Sequence, residues 1–104
     1  MYTKLGAETL AKLAGRRWAT DSGALTKRFA FKSHTLAAEF AAKAAKSADA
    51  LQHHPEIYIK YRWITFALKT NDADGAITDA DAKLADAIDE LAKADPGLSR
   101  KKAS

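Results

Sequence analysis

The chain has no cysteine. A disulfide framework, a thiol nucleophile and a thiolate metal site are therefore all closed to it, and the small disulfide-stapled class is excluded. Long apolar runs are missing too. The longest are short and broken by charge, so no segment reads as a membrane span. The opening stretch MYTKLGAETLAKL carries Glu8 and no long apolar core, so it reads as a helix and not as a signal peptide. Histidine is scarce, with three in 104 residues. No internal repeat, linker or low-complexity boundary breaks the sequence.

What is present fits one compact domain over residues 1–98 followed by a basic tail, 99–104. Apolar residues make up 47%, enough for a core, though much of that is alanine. The formal net charge is +4, and part of it sits in the tail SRKKAS. Three basic residues in no particular register are a weak footprint for nucleic acid, so the tail reads as a solvated end.

Periodicity divides the rest. Leu5, Leu10, Leu13 and Ala14 suggest a short amphipathic helix over 3–14, with Gly15 as its stop. In RRWATDSGALTKRFAFK, Asp-Ser-Gly is a turn signal. Apolar Leu25, Phe29 and Phe31 interleave with polar Thr26, Arg28 and Lys32, which predicts a hairpin with one buried face. Ser33 is a good N-cap for an alanine-rich helix whose stripe is Leu36, Phe40, Ala44, Ala48 and Leu51. The period then becomes two: Ile57, Ile59 and Tyr61 form one row, and Ile64, Phe66 and Leu68 another, with a tight connection near Arg62-Trp63. After the loop NDADG, Thr78 with Asp81 three residues on resembles a capping box, and Leu84, Ile88 and Leu91 carry a last helix to Asp95-Pro96-Gly97. The expected fold is α+β: a four-stranded antiparallel sheet with three helices packed on one face.

The segment richest in chemistry is LQHHPEIYIKY. Adjacent side chains on a regular strand point to opposite faces, so His53 and His54 can serve one site only if the backbone turns there; Pro55 favours such a turn. As a metal site the pair is poor, for it has no helical spacing and neither a cysteine nor a nearby third histidine. His34 reads as a surface residue near a helix start. No nucleophile elbow supports a Ser-His-Asp triad. General acid–base work suits two imidazoles better, because histidine titrates near neutral pH; the structural alternative is a pair of histidines at a helix–strand junction. TNDADGAITDAD resembles a calcium loop, but Thr70 stands where the first Asp is needed, Asp81 replaces the closing Glu, and strand periodicity precedes it. It reads as a turn plus a helix cap.

With the histidine pair set between a helix and two strands, the chain resembles the pterin-4a-carbinolamine dehydratase family. The resembling motif runs through Asp49, His53, His54, Pro55, Tyr61, Asn71 and Asp81. The stretches RRWATDSGALTKRFAFK and AITDADAKLA extend the likeness over nearly the whole chain except the tail. The resemblance implies dehydration of 4a-hydroxytetrahydropterin to quinonoid dihydropterin in the recycling of a pterin cofactor, with no metal or organic cofactor. It implies His53, His54 and Asp81 as catalytic, with Trp18 walling the pocket. It implies Asp49, Lys69, Thr70, Asn71 and Asp72 as substrate-binding, the last four at the pterin's amide edge. The implied partners are the pterin and further copies of the chain, as a homodimer or homotetramer, with no direct nucleic-acid contact and no membrane; the expected location is cytoplasmic. One position departs: Asn71 stands where the family usually has a third histidine, and the loop beyond is one residue longer. Asn71 can hydrogen-bond but cannot shuttle a proton near neutral pH, so it either lowers turnover, only positions substrate, or cedes its place to Asp72. The other reading is a non-catalytic dimerisation cofactor or regulatory binding protein on the same scaffold.

Overall fold

The two periodicities become two layers in a computed structural model of the chain, which describes residues 2–100. The elements are α1 (Ala7–Gly15), β1 (Ala19–Asp21), β2 (Ala24–Ala30), α2 (His34–Leu51), β3 (Glu56–Lys60), β4 (Trp63–Leu68) and α3 (Asp79–Ala94). The four strands form one antiparallel sheet in the order β1-β2-β4-β3, with the three helices on one face. This is the expected α+β architecture. The strand order puts β4 at the centre, so its C-terminal end at Leu68 opens between neighbours.

Both hairpins turn in two residues. Ser22 and Gly23 have φ of 51° and 79°, the paired positive values of a turn that matches strand twist. The β3–β4 turn, Tyr61-Arg62, places Tyr61 at φ 55°, a costly conformation for an aromatic residue. A hydrogen bond between His34 Nδ1 and the Tyr61 carbonyl holds that turn, so His34 does more than sit on the surface. Tyr61 therefore belongs to the turn and not to the buried row of β3. That row is also more open than its alternation suggests, because β3 is an edge strand and Ile59 lies outside the packed layer.

The core is the face shared by β2, β4 and the helices. Phe31 and Phe40 meet with ring centroids 4.8 Å apart, and Phe66 packs edge-on to both Phe29 and Phe40 at 5.9 Å. Ala37, Ala44 and Ala48 are fully buried, so α2 lies close on the sheet through small side chains with Phe40 inserted between them. Leu51, expected in that stripe, is exposed instead: it occupies the last turn of α2 and lines a surface cavity with Tyr2, His53 and Asp79.

The first segment differs most from expectation. Only Ala7–Gly15 is helical; Tyr2 to Gly6 runs extended beside the start of α3. Leu5 N–H donates to the Ile77 carbonyl (3.1 Å), Thr3 N–H to Asp79 Oδ1 (3.0 Å), and Asp79 N–H back to the Thr3 carbonyl (2.9 Å). The segment is held by these three bonds, one of which gives the Asp79 N–H at the start of α3 the acceptor that its helix lacks. At the other end, Ser99 N–H bonds the Ala30 carbonyl, and Arg100 bonds the carbonyls of Lys93 and Asp95. The rest of the tail, 101–104, lies outside the described residues. Among those described, no helix is long and apolar enough to cross a membrane.

Candidate active site

The turn required to bring both histidines to one place is a left-handed residue, Gln52. Its φ of 53° and ψ of 38° end α2, and the bond from His53 N–H to the Ala48 carbonyl (3.1 Å) closes the cap. The chain reverses there. His53 is driven inward, its side chain 11% exposed, while His54 stays outside at 63%.

Beneath His53 lies Asp81, fully buried at the third position of α3. Its carboxylate accepts three hydrogen bonds. Oδ1 accepts from His53 Nε2 at 2.5 Å; Oδ2 accepts from the Thr70 hydroxyl and from the Thr78 N–H, each at 2.9 Å. Thr70 Oγ1 lies 2.6 Å from the Thr78 hydroxyl. Because the Thr70 proton points to Asp81, that contact is made by the Thr78 proton. The network is complete: no buried side-chain polar atom among the described residues lacks a partner.

This arrangement fixes a tautomer. A carboxylate only accepts, so His53 must carry a proton on Nε2, and in the neutral ring Nδ1 is left as a lone-pair nitrogen. No bond to Nδ1 is made among the described residues. His53 is thus a buried, oriented imidazole with one nitrogen free. His54 is held less firmly: its Nε2 meets Asp49 Oδ1 at 2.9 Å, but both side chains are exposed, and such pairs contribute little.

A cleft of about 180 Å³ opens over these rings, lined by Tyr2, Gln52, His53, His54, Lys69 and the loop 70–72. The loop is shaped by a 3-10 turn, Asn71–Ala73, followed by Asp74 and Gly75 at φ 56° and 77°. It therefore follows a strand and folds as a turn. Asn71 and Asp72 are exposed on its rim. Their backbone N–H groups, at the start of the turn, have no acceptor among the described residues. Nowhere among those residues do three His, Asp or Glu side chains gather as a metal set.

Of the residues singled out in the sequence, the fold brings His53, His54, Asp81, Asp49, Lys69, Thr70, Asn71 and Asp72 to this end of the sheet. Thr70 arrives in another capacity: its hydroxyl serves Asp81, its N–H bonds the Ala76 carbonyl, and its carbonyl takes the N–H groups of Ala73 and Gly75. It has nothing left for a substrate and acts by positioning Asp81. Trp18 does not line the cleft. Its ring is buried in the core, and Nε1 donates to Asp89 Oδ2 at 2.9 Å, midway along α3. Lys27 Nζ reaches the same carboxylate at 2.6 Å. That half-buried acceptor on α3 draws the indole inward. Tyr2 and Gln52 are the lining residues that sequence reasoning missed, the first because its segment reads as helix.

The comparisons with known proteins bear on this site. A family described as Pterin 4 alpha carbinolamine dehydratase matches residues 3–91. The chain belongs to that family. A relative from Rhizobium meliloti (strain 1021), named "Putative pterin-4-alpha-carbinolamine dehydratase", is 40% identical over 87 residues, covering 84% of this chain and 83% of that one. One from Streptomyces coelicolor under the same name is 35% identical over 85 residues, with 82% of each chain covered. Among solved structures, a Brucella melitensis protein described as transcriptional coactivator/pterin dehydratase superposes with a TM-score of 0.70 at 29% identity, covering 86% of this chain and 98% of that one. This dehydratase-family member carries its histidine pair, with the buried Asp81, at the open end of β4.

Proposed function

We propose that the cleft over His53 and His54 dehydrates 4a-hydroxytetrahydropterin to quinonoid dihydropterin and water, as part of pterin cofactor recycling. The observation that carries this is the His53–Asp81 pair. It presents an oriented imidazole with an unpartnered Nδ1 at a polar cleft, in a chain of the dehydratase family.

The reaction breaks the C4a–O bond and the N5–H bond. The hydroxyl takes a proton and leaves as water; the electrons of the N5–H bond form the new C4a=N5 double bond. His53 Nδ1 receives the N5 proton, and the resulting imidazolium is stabilised by Asp81. His54, exposed and paired with Asp49, protonates the departing hydroxyl and is recharged from solvent. Each such transfer contributes on the order of 10²–10⁴. The N–H groups of Asn71 and Asp72 donate to the carbonyl on the pterin's amide edge, and Lys69 stands beside them. Asn71 orients substrate without exchanging a proton.

The test is the dehydration rate of the purified protein beside His53→Ala and Asn71→His. Turnover that falls at least a hundredfold in His53→Ala supports the mechanism, and a gain in Asn71→His gives the missing imidazole a direct part. Equal rates in parent and His53→Ala would remove it.

A second reading is a dimerisation cofactor or regulatory binding protein. Asn71 in the cleft favours it, as does the exposed apolar edge of Tyr58 and Ile59 on β3. The Brucella melitensis relative is itself described as coactivator and dehydratase. The same edge suits a homodimer or homotetramer. If this reading holds, the protein leaves the spontaneous dehydration rate unchanged in parent and Asn71→His alike.

A further inference from the structure

A planar pterin needs an apolar face to lie on, and the cleft is otherwise polar. Gln52, Lys69, Asn71 and Asp72 supply hydrogen-bonding groups, and the Nε2 atoms of His53 and His54 are engaged by Asp81 and Asp49. Trp18 is committed to the core and to Asp89. The one large apolar surface on the lining is the ring of Tyr2, 40% exposed, its centroid 6.4 Å from that of His53 and tilted 40° to it.

Tyr2 also sits at a division of space. With His53 it lines the 180 Å³ cleft and a neighbouring cavity of about 220 Å³ bounded by Leu51, Asp79, Ala80 and Lys83. Small-ligand sites span roughly 300–1,000 Å³, so neither space alone suits a bicyclic ring with its substituents. The half-exposed Tyr2 ring and His53 are the residues that the two spaces share.

The backbone beneath that ring is fastened. Thr3 and Asp79 exchange hydrogen bonds in both directions, and Leu5 adds a third to Ile77. Asp79 is two residues from Asp81, so the strap that carries Tyr2 and the carboxylate that orients His53 hang on the same turn of α3. The Thr3 N–H holds the Asp79 carboxyl below its ordinary value.

We infer that Tyr2 is a substrate-positioning residue: its ring forms the wall on which the pterin stacks, held in place by the Thr3–Asp79 latch. The inference rests on the dehydratase reading and adds to it a residue from the segment before α1.

The experiment measures dehydration kinetics and, separately, binding of a stable fluorescent pterin to the parent, Tyr2→Ala, Tyr2→Phe and Asp79→Ala proteins. Loss of an aromatic stacking face weakens binding roughly five- to thirty-fold. Tyr2→Ala is expected to raise KM and the pterin Kd by that factor while kcat falls less. Tyr2→Phe restores both, and Asp79→Ala moves KM and Kd in the direction of Tyr2→Ala. A Tyr2→Ala protein with the parent's KM and Kd overturns the inference and leaves the dehydratase reading standing. Tyr2→Phe as weak as Tyr2→Ala overturns it too, since the ring face is then not what binds. A parent that neither binds nor dehydrates pterin removes the reading and the inference together.

Discussion

Replacing Asp81 by Asn keeps the shape of the buried network and changes one thing, the number of acceptors. Asp81 Oδ2 takes the Thr78 N–H and the Thr70 hydroxyl. The backbone N–H cannot become an acceptor, so the amide oxygen of Asn must stay on that side. Its NH₂ then faces His53 Nε2, where two donors would collide. The imidazole has one escape: it moves its proton to Nδ1 and accepts at Nε2. The group that faced the cleft as a base becomes a donor, and turnover should fall by about 10²–10⁴ with little change in KM. The lost charge weakens three hydrogen bonds at a fully buried site, so stability should fall by roughly 1.5–3 kcal/mol. For a chain of this length that is on the order of 10 °C in Tm. Asp81→Ala, which leaves three donors without an acceptor, should cost about 3–5 kcal/mol. The decisive assay is long-range ¹⁵N–¹H NMR of the imidazoles at a pH where they are neutral, with thermal melts alongside. If His53 keeps its proton on Nε2 in Asp81→Asn, or Tm moves by less than about 2 °C, the account of this network is wrong.

Other consequences are simpler to check. Asp89→Ala removes the acceptor shared by Trp18 Nε1 and Lys27 Nζ and should cost about 3–5 kcal/mol in urea unfolding; a loss under 1 kcal/mol would mean that Lys27 simply reaches water. Stability should also fall on acidification. The Thr3 N–H holds Asp79 below its ordinary value of 3.8; burial pushes Asp95 up, but the Gly97 N–H and the Lys43 ammonium outweigh it and hold it below 3.8 as well. Both contributions are complete above the unfolded value near 4 and vanish as pH drops through the lower folded values, so the acid limb of a Tm–pH curve should flatten in Asp95→Asn. Ile59→Lys on the exposed edge of β3 should shift any self-association measured by sedimentation toward monomer, while an unchanged profile would place the contact elsewhere.

How much of this was legible beforehand depended on whether the signal was local. The hairpin at Ser22-Gly23, the Ser33 cap and the capping box at Thr78 are short-range chemistry, and each reappears: Ser33 accepts from Leu36 N–H, and Thr78 exchanges bonds with Asp81 and Ala80. The His-His-Pro junction is of the same kind, although the reversing residue is Gln52, whose left-handed conformation no propensity announces. What escaped was set by distant partners. Tyr2 to Gly6 has the composition of a helix start, but the start of α3, some 75 residues on, claims its backbone. Strand alternation puts Lys27 on the inner face with Leu25 and Phe29, but nothing local shows that its charge is met there by Asp89. Trp18 is turned inward by the same carboxylate. A motif shows that an aromatic is present, not which cavity it fills.

Asp81 shows why fold and site cannot be pulled apart at this end of the sheet. Its carboxylate ties the segment just past β4 through Thr70, the start of α3 through Thr78, and the segment just past α2 through His53. The N-terminal end of α3 favours a negative charge there independently of any substrate. A charge wanted by the helix is thus the charge that orients the imidazole. Selection for a stable α3 therefore maintains the His53 tautomer even if no reaction is under selection. For the same reason, any change at Asp81 is read out in the stability of the fold as well as in turnover. The discriminating positions are those the fold does not need: exposed His54, exposed Asn71 and the ring of Tyr2. Substitutions there should leave the Tm within about 2 °C, since surface changes away from caps and cores rarely exceed 0.5 kcal/mol. If they nevertheless alter pterin turnover, the chemistry is established separately from the architecture that carries it.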